Sequence, residues 1–556
     1  MRRLTLLLAL GSTAAVAQVS GPIVTQPAFV GLSEPLAVMG QRGDATAFVV
    51  RGFRVSRSHD IDKSRTVQDA RTDITPNVTV AANTPYNQTA TYLPLTAPIG
   101  VNFEALGVGT PSFSISGAPP DTTLAVSPTQ IVQWVNSQLA VYNKAGVALL
   151  AAPGFVNGNT IWSALGVNSL CASTNRGDPI VQYDRINQRW VLSQFAFTGN
   201  GTVAPYSQCI AVSQTSNALG AYNLYEYSFG NALPDYGKLG LWTDAYYITY
   251  NMFTNGATFS GGRACAYDKA AMLAGAAATQ ICFNSTAHFS FLPSDLDGPT
   301  LPPAGTPNFH ITWNWPFTAT APYTMQMIKF VPNFVTPASS TFTDGFGGAA
   351  FSSVNFTMDA GTLASCADNG NNCVPQLGTA NLLDTLGSRH MYRLVYRNFG
   401  TYDALLITQS VDPVGGQVAA VRWWEIRRPN ANPPVVYQNS TFAPAGTENR
   451  WMSSAAFDKL GNIGIGYSAS SSTMNPAIKV TGRLRNDPKN LLRTEALVQA
   501  GGGSQTGTLN RWGDYSTMQI DPADECTFWY TTQYIGINGT FNWRTRGASF
   551  KFPNCQ

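Results

Sequence analysis

The 556-residue chain carries little charge, and this limits the partners that it can attract. Only 12% of its residues are charged, and 34 basic side chains nearly balance 31 acidic ones. A net charge of +3 gives no electrostatic reason to expect nucleic acid as a partner. Walker, G-x-G-x-x-G and G-x-S-x-G motifs are also missing, so the sequence does not support an NTPase, a dinucleotide-binding protein or a serine hydrolase.

Long apolar runs are missing too. The run from Leu4 to Leu10 is far shorter than the about 20 apolar residues that a membrane-spanning helix needs. It follows Arg2-Arg3 and precedes Ala15-Val16-Ala17, an arrangement typical of a secretory signal peptide. We therefore predict that residues 1–17 are a signal peptide, that the mature protein has no membrane span, and that it is secreted to the extracellular space or the periplasm.

Cysteine is scarce, and its eight residues include no C-x₂-C pair of the kind found in Cys-based metal sites. An even number of cysteines in an exported chain favours disulfides. Eight cysteines allow 105 connectivities. Proximity in the sequence predicts the pairs Cys171–Cys209, Cys265–Cys282, Cys366–Cys373 and Cys526–Cys555.

Metal-binding patterns are weak, and we predict no cofactor. The four histidines share no metal-ligand spacing. His390, next to Arg389, is the one that we expect near the candidate site, most simply as a structural residue. Residues 294–300, SDLDGPT, have the D-x-D-G pattern of a calcium loop but lack the later ligands of an EF-hand, so a plain turn is favoured over calcium.

Helical periodicity is nearly missing, whereas one strand–turn–strand unit recurs along the chain. Examples are IVQYDRINQRWVLSQ (180–194), SAAFDKLGNIGIGYS (454–468) and TMQIDPADECTFWYT (517–531). Apolar and polar residues alternate within these runs, and the turns contain Asp, Asn, Gly and Pro. Both features indicate antiparallel β-hairpins.

The spacing of the units predicts their arrangement. Three units begin 57 residues apart and three others 61 apart, with an irregular unit 60 residues after the third. The residues that open these units are Asp121, Asp178, Asp235, Asp295, Arg389, Arg450 and Arg511. Periods near 60 predict an all-β fold, a β-propeller of seven blades with about four antiparallel strands each, over residues 115–556. A pair of β-sandwiches is the alternative.

Residues 18–114 differ from the rest. They contain the most charged stretch of the chain, followed by sequence rich in Thr, Asn and Pro. We expect either a small strand-bearing appendage or an extended arm that packs on the propeller.

In a propeller, equivalent positions of different blades converge at the mouth of a central channel. The unit-opening residues therefore predict a mixed ring of carboxylates and guanidinium groups. Paired carboxylates can catalyse glycoside hydrolysis when they are held ~5–9.5 Å apart, and guanidinium groups can clamp a carboxylate or sulfate. Asx-turns and inter-blade packing are the structural alternatives for each single residue.

Three arginines on separate blades, with Asp and Tyr nearby, resemble the sialidase superfamily, whose arginine triad grips a substrate carboxylate. The resemblance implies that Arg389, Arg450 and Arg511 form the clamp. It also implies an acid/base at Asp121 or Asp178 and a nucleophile at Tyr392 or Tyr515. The S-x-D-x-G-x-T-W Asp-box and the F/Y-R-I-P motif of the superfamily are missing. From PPDTTLAVSP (119–128) to the C-terminal region, the chain also resembles exported bacterial propeller proteins, which implies no reaction.

The sequence therefore predicts a secreted, monomeric propeller that binds a glycan or polysaccharide of anionic character at the channel mouth. Such a protein is either a glycoside hydrolase or polysaccharide lyase, or a non-catalytic propeller for extracellular binding or adhesion. The predicted catalytic residues are Asp121, Asp178, Asp235, Tyr392, Asp514 and Tyr515. The predicted ligand-binding residues are Asp295, Arg389, Arg450, Trp451, Arg511 and Trp512.

Overall fold

The computed structural model describes residues 19–42, 87–115, 117–286, 288–313, 323–344, 355–356, 372–387, 389–413, 418–429 and 434–556. This part of the chain is nearly all-β, so the predicted fold class is confirmed at that level. The predicted signal peptide and Cys366 lie outside the described residues. No helix among the described residues is long and apolar enough to cross a membrane.

Most strands belong to seven antiparallel meanders, in which each strand pairs with the next one along the chain. We number the meanders in chain order. Meander 1 consists of Thr123–Val126, Gln130–Val135, Gln138–Asn143 and Phe155–Asn157. Meander 2 consists of Ile180–Asp184, Arg189–Phe197, Tyr206–Ser213 and Tyr222–Gly230. Meander 3 consists of Ala232–Leu241, Ala245–Thr254, Thr258–Asp268 and Gln280–Ser285. Meander 4 consists of Leu292–Asp297, Asn308–Trp313, Tyr323–Val331 and Thr341–Asp344.

The last three meanders follow the same order. Meander 5 consists of His390–Asn398, Tyr402–Val411, Ala420–Pro429 and Val435–Phe442. Meander 6 consists of Asn449–Phe457, Ile463–Ser471, Met474–Arg483 and Ala496–Gln499. Meander 7 consists of Thr517–Ile520, Thr527–Ile535 and Trp543–Lys551. The first strands of meanders 4 and 5 also pair in parallel, which joins these two meanders into one sheet.

Four strands from the N-terminal segment add to the edges of these meanders. Val19–Thr25 pairs with meander 3, Phe29–Leu32 with meander 2, and Asn87–Gln88 with meander 5. Ile99–Glu104 pairs with Trp543–Lys551 and supplies the fourth strand of meander 7. The segment before the first meander thus completes the meander at the end of the chain.

The remaining described elements are short. The α-helices are Leu36–Gln41, Leu170–Ser173 and Lys269–Ala274, and the 3₁₀-helices are Gly158–Leu165 and Pro337–Ser339. Outside the meanders, Asn355–Phe356 pairs with the third strand of meander 4, and Val374–Gln376 pairs with Thr379–Leu383.

The first strands of the meanders lie next to one another in chain order, and that of meander 7 contacts that of meander 1. Apolar side chains fill the space between neighbouring meanders. Trp134 of meander 1 and Trp190 of meander 2 belong to one buried cluster, and Ala456 and Tyr530 join meanders 6 and 7 in another. The polar residues at the strand ends are thereby held at fixed positions around the inner strands.

One non-glycine residue with positive φ lies just before each first strand or, in meanders 3 and 6, within it. The φ angles of these residues lie between 47° and 60°, a region that costs most side chains roughly 1–2 kcal/mol. The seven residues are Asp121, Asp178, Tyr236, Ser290, Leu386, Met452 and Asp514. This repeated backbone feature marks the equivalent point of each meander.

The left-handed residues are not all the residues that the sequence spacing predicted to be equivalent. Arg389 follows its left-handed residue by three positions, whereas Arg450 and Arg511 precede theirs by two and three. Asp295 lies five residues beyond Ser290, inside the first strand of meander 4. Equal spacing along the sequence therefore does not identify equivalent positions in the last three meanders, because loop lengths differ between them.

Three of the predicted disulfides are present: Cys171–Cys209, Cys265–Cys282 and Cys526–Cys555. The first joins a short helix to the third strand of meander 2, and the second joins adjacent strands of meander 3. The third ties the end of the chain to the turn before the second strand of meander 7. Each disulfide therefore joins residues of one meander or of the segment next to it.

We expect Gly466→Ala to lower the free energy of unfolding by about 1–3 kcal/mol, as overpacking of a filled core does. A Cβ atom at Gly466 meets ring atoms of Tyr530 at 2.6 Å, across the boundary between meanders 6 and 7. The Tyr530 hydroxyl donates to Ser516 Oγ, so the ring cannot withdraw freely. Urea unfolding measures the change. Gly237→Ala is the control, since its new Cβ meets Tyr250 at an ordinary 3.5 Å; equal effects of both variants would contradict the prediction.

Candidate functional site

A buried lysine that was not predicted from the sequence lies beside the openings of the inner strands. Lys238 follows a register shift in the first strand of meander 3 and is 1% exposed. Its Nζ atom lies 3.2 Å from the centroid of the Tyr236 ring and 4.3 Å from that of Tyr515. It also donates to the backbone carbonyl of Gly237 at 3.2 Å. The ammonium group is thus placed between two aromatic rings, in a cation–π arrangement.

Carboxylates from four meanders act on this ammonium group. Burial lowers the pKa of Lys238 from 10.5 to about 8, and Asp178, Asp514, Asp121 and Asp235 oppose that decrease. Asp178, Asp514 and Asp121 precede the first strands of meanders 2, 7 and 1, and Asp235 lies within the first strand of meander 3. Four of the predicted catalytic residues therefore lie close enough to Lys238 to act on its charge.

Tyr236 connects the aspartates to one another. Its backbone N–H donates to Asp178 Oδ2 at 3.1 Å, and its hydroxyl donates to the backbone carbonyl of Asp514 at 3.1 Å. Its ring lies 6.3 Å from the ring of Tyr515. This residue itself has a left-handed backbone, which turns its amide and its side chain toward neighbouring meanders.

The two predicted tyrosines are buried hydrogen-bond donors. The hydroxyl of Tyr515 donates to the carbonyl of Pro179 at 3.0 Å, and that of Tyr392 donates to the carbonyl of Leu239 at 2.9 Å. Burial raises the pKa of both hydroxyls well above 10.0, and nearby carboxylates raise it further. Because the phenolate form is disfavoured, this environment does not favour the nucleophilic role that the resemblance implied.

Two of the three predicted arginines belong to the cluster. The guanidinium carbon of Arg389 lies 4.8 Å from the centroid of the Tyr236 ring. Arg511 forms an ion pair with Asp514 and lies 3.6 Å from an oxygen of Asp384. The side chain of Arg511 is 18% exposed, so this part of the cluster reaches the surface.

Arg450 takes part in a different network, within meander 6. Its guanidinium group donates to both oxygens of Glu495 at 2.7 and 3.0 Å and lies 3.3 Å from Glu448. Lys479 pairs with the same two carboxylates, and the hydroxyl of Tyr467 donates to Glu495. Arg450 therefore does not join Arg389 and Arg511 in one clamp.

Asp295 lies deeper along the inner strands. It forms an ion pair with Arg393, which also binds Asp297 at 2.7 Å. The side-chain amide of Gln182 donates to Asp295 at 2.7 Å and also to the hydroxyl of Tyr392. Both aspartates of the D-x-D-G sequence therefore pair with the guanidinium group of Arg393.

A cavity of about 20 Å³, room for a single water molecule, lies beside this second cluster. Its walls include Gln182, Asp295, Arg393 and Gln519. Among the described residues, no group of three or more His, Cys, Asp or Glu is arranged to hold a metal ion.

The predicted aromatic ligand-binding residues are fully buried. Trp451 and Trp512 are both 0% exposed, and their ring centroids lie 5.7 Å apart. The indole N–H of Trp512 donates to Ser468 Oγ at 3.0 Å. These rings pack between meanders and do not offer a face to a sugar. His390 is also buried, which lowers its pKa to about 3, and its ring lies against Trp424.

No protein-family model matches the sequence, and a search of curated proteins found no match. Among solved structures, the chain is similar to an α-L-arabinanase of Penicillium chrysogenum complexed with arabinobiose, with 8% identity and a TM-score of 0.36 over 83% of this chain and 100% of that one. An α-L-arabinofuranosidase of Fusarium graminearum with an iminosugar inhibitor has 9% identity and a TM-score of 0.34, over 82% and 99%. A protein of unknown function from Dyadobacter fermentans has 8% identity and a TM-score of 0.35, over 67% and 94%. TM-scores this low carry no argument about function, so the site has to be interpreted from its own residues.

The titration of Lys238 gives a test of the cluster. Between pH 8 and 10.5, Lys238 is mainly deprotonated in the folded state and mainly protonated in the unfolded state. We therefore expect the wild-type protein to gain about 3 kcal/mol in free energy of unfolding relative to Lys238→Met over this range. Below pH 8 both states hold the proton, and the difference between the two proteins is constant.

Urea unfolding at a series of pH values measures this difference. Lys551→Met, which removes a lysine whose side chain is 40% exposed, is the control for the loss of one positive charge. A difference between wild type and Lys238→Met that stays flat across the alkaline range would show that Lys238 is not the buried cation described above.

Proposed function

We propose that the seven meanders are the blades of a β-propeller and that the Lys238 cluster lies at the mouth of its central channel. Two observations support this. The first strands contact one another in a closed circle, and a left-handed residue lies just before each of them or, in meanders 3 and 6, within it. In a propeller such equivalent points face one end of the channel. Asp121, Asp178 and Asp514 occupy three of them.

We further propose that this cluster binds a glycan and hydrolyses it. The observation that carries the proposal is that Tyr236 hydrogen-bonds both Asp178 and Asp514, from two other meanders, next to the buried ammonium group of Lys238. Asp121 and Asp235 also act on the charge of this group. Glycoside hydrolysis needs a carboxyl group that protonates the leaving oxygen and a second one that acts as a base or nucleophile. The proposed substrate occupies the exposed side of the cluster, next to Asp178 and Arg511.

The aspartates have different surroundings, and we assign their roles accordingly. Asp178 is the most exposed of the four and is proposed as the acid/base. Asp514 is held by Arg511 and is proposed as the carboxylate that faces the positive charge developing on the sugar. Asp121 and Asp235 are buried and are proposed to position the other groups through Lys238.

The proposal that the glycan is anionic has less support from the cluster than the proposal that Asp178 and Asp514 catalyse its hydrolysis. Arg450 is bound within meander 6, and Arg511 already contacts two carboxylates. We propose Arg389, whose guanidinium group lies against the Tyr236 ring, for an acidic substituent on the sugar.

A non-catalytic binding propeller is the second candidate. The observation that favours it is that polar groups of the cluster bind one another. The hydroxyls of Tyr236 and Tyr515 donate to backbone carbonyls, and Arg511 is paired with Asp514. Such a site can recognise sugar hydroxyl groups through its exposed polar atoms without performing a reaction.

Asp178→Asn tests the catalytic role. The amide oxygen can still accept the hydrogen bond from the Tyr236 N–H, so we expect an unchanged fold. Loss of one general acid/base group lowers the rate by about 10²–10⁴-fold, while binding of the same glycan changes little. Reducing-end release from a panel of neutral and uronate-containing polysaccharides measures turnover, and calorimetry measures binding.

Asp524→Asn is the matched control, because Asp524 is also a partly exposed aspartate that accepts backbone N–H bonds. Binding without turnover by the wild-type protein would select the second candidate. Neither binding nor turnover on the whole panel would contradict both.

A further inference from the structure

A basic and aromatic surface lies where meander 5 meets the loop after the third strand of meander 6. We call it the basic patch, and it consists of Phe399, Tyr402, Arg427, Tyr437, Arg485 and Lys489. The guanidinium carbon of Arg427 lies 3.4 Å from the centroid of the Tyr437 ring and 4.0 Å from that of Tyr402. Lys489 Nζ lies 3.7 Å from the Tyr437 ring. Aromatic rings thus hold these cations close together.

The loop that carries Arg485 and Lys489 is anchored on meander 5. The backbone N–H of Asn439 donates to Asn490 Oδ1 at 3.0 Å, and the N–H of Asn490 donates to Gln438 Oε1 at 3.3 Å. The rings of Phe399 and Tyr402 stack at 5.1 Å next to the loop. The patch is therefore built from two meanders held in a defined arrangement.

Positive charge at the patch is only partly balanced. Glu425 is buried and binds Arg427, and Asp487 binds Arg493. Among the described residues, no carboxylate forms an ion pair with Arg485 or Lys489, and both are exposed.

The guanidinium group of the neighbouring Arg483 donates to backbone carbonyls, including that of Leu491. With Arg483 and Arg493, five cations surround two carboxylates, an excess of three. The whole chain has a net charge of only +3. An excess of this size in one place creates a field that attracts polyanions.

The patch lies far from the Lys238 cluster. Arg389 precedes the first strand of meander 5 and reaches the cluster, whereas Phe399 follows the end of the same strand, His390–Asn398. Ten residues of extended chain span about 30 Å. A ligand on the patch therefore occupies the end of the inner strands opposite the cluster.

From this arrangement we propose that the basic patch is a binding surface for an anionic polysaccharide, one that carries sulfate or uronate groups. Arg485 supplies an exposed planar guanidinium group that matches sulfate and carboxylate, and Lys489 adds an exposed ammonium group. Arg427 holds the Tyr437 ring on which Lys489 lies. Three disulfides are typical of proteins outside the cytoplasm, and we take an acidic glycan rather than nucleic acid as the polyanion that the patch meets there. The proposal rests on the proposed function only in taking a glycan as the ligand class.

Calorimetry with dextran sulfate, with polygalacturonate and with uncharged dextran tests the surface. We expect the wild-type protein to bind the two charged polymers and not dextran. The double variant Arg485→Glu, Lys489→Glu should bind them at least tenfold more weakly, since both side chains are exposed and can be reversed without disturbing the core. Affinity should fall steeply with added salt.

The control is Arg42→Glu, Lys551→Glu, which changes the net charge equally at two side chains that are 54% and 40% exposed. It should change the affinity less than twofold. Equal losses in both double variants, or tight binding of oligothymidylate with no binding of either acidic glycan, would overturn the proposal. Hydrolysis at the Lys238 cluster is measured separately with Asp178→Asn. Absence of polyanion binding would therefore contradict the patch proposal, whereas absence of turnover would contradict the proposed hydrolysis.

Discussion

The buried ammonium group of Lys238 is the interaction on which the rest of the candidate site depends. An isolated charge in a protein interior is strongly unfavourable, and it persists only where opposite charge and polar groups compensate it. Here the compensation comes from two tyrosine rings, a backbone carbonyl and four aspartates on separate meanders. The reverse also holds, because four aspartates brought together without a central cation would repel one another. The lysine and the aspartates therefore stabilise a single arrangement of the inner strands.

Backbone conformation supports the same arrangement at a cost. Asp and Asn tolerate the left-handed region, and Asp121, Asp178 and Asp514 occupy it in three meanders. Tyr236, Leu386 and Met452 occupy it in three others, although their side chains disfavour it. Strain of this kind persists when the surrounding structure determines the position fully, and it often concentrates at functional sites.

The strand-rich fold and part of the site could be predicted from the sequence. Hairpin patterns and turn residues report local structure, and an aspartate at a strand opening has a recognisable local context. Lys238 could not be predicted, because it lies in the interior of an ordinary strand and gains its environment from meanders 1, 2 and 7. The sequence also did not predict that Arg450 lies apart from Arg389 and Arg511. The three arginines are equally spaced along the chain, but the loop lengths around them determine where each guanidinium group lies. Trp451 and Trp512 show the same limit, since burial between meanders is a property of packing and not of the local sequence.

The pairing of Ile99–Glu104 with Trp543–Lys551 has a consequence for how the chain reaches its native state. The ribosome makes the first of these strands more than 400 residues before the second. The first strand therefore remains unpaired until the second has been made. Closing a loop over such a sequence separation is a late and slow event in folding. Until then meander 7 has an open edge, and the unpaired strand is able to pair with another chain. Meander 7 is therefore complete only after both strands have been made, and deletion of either strand leaves the same sheet unfinished.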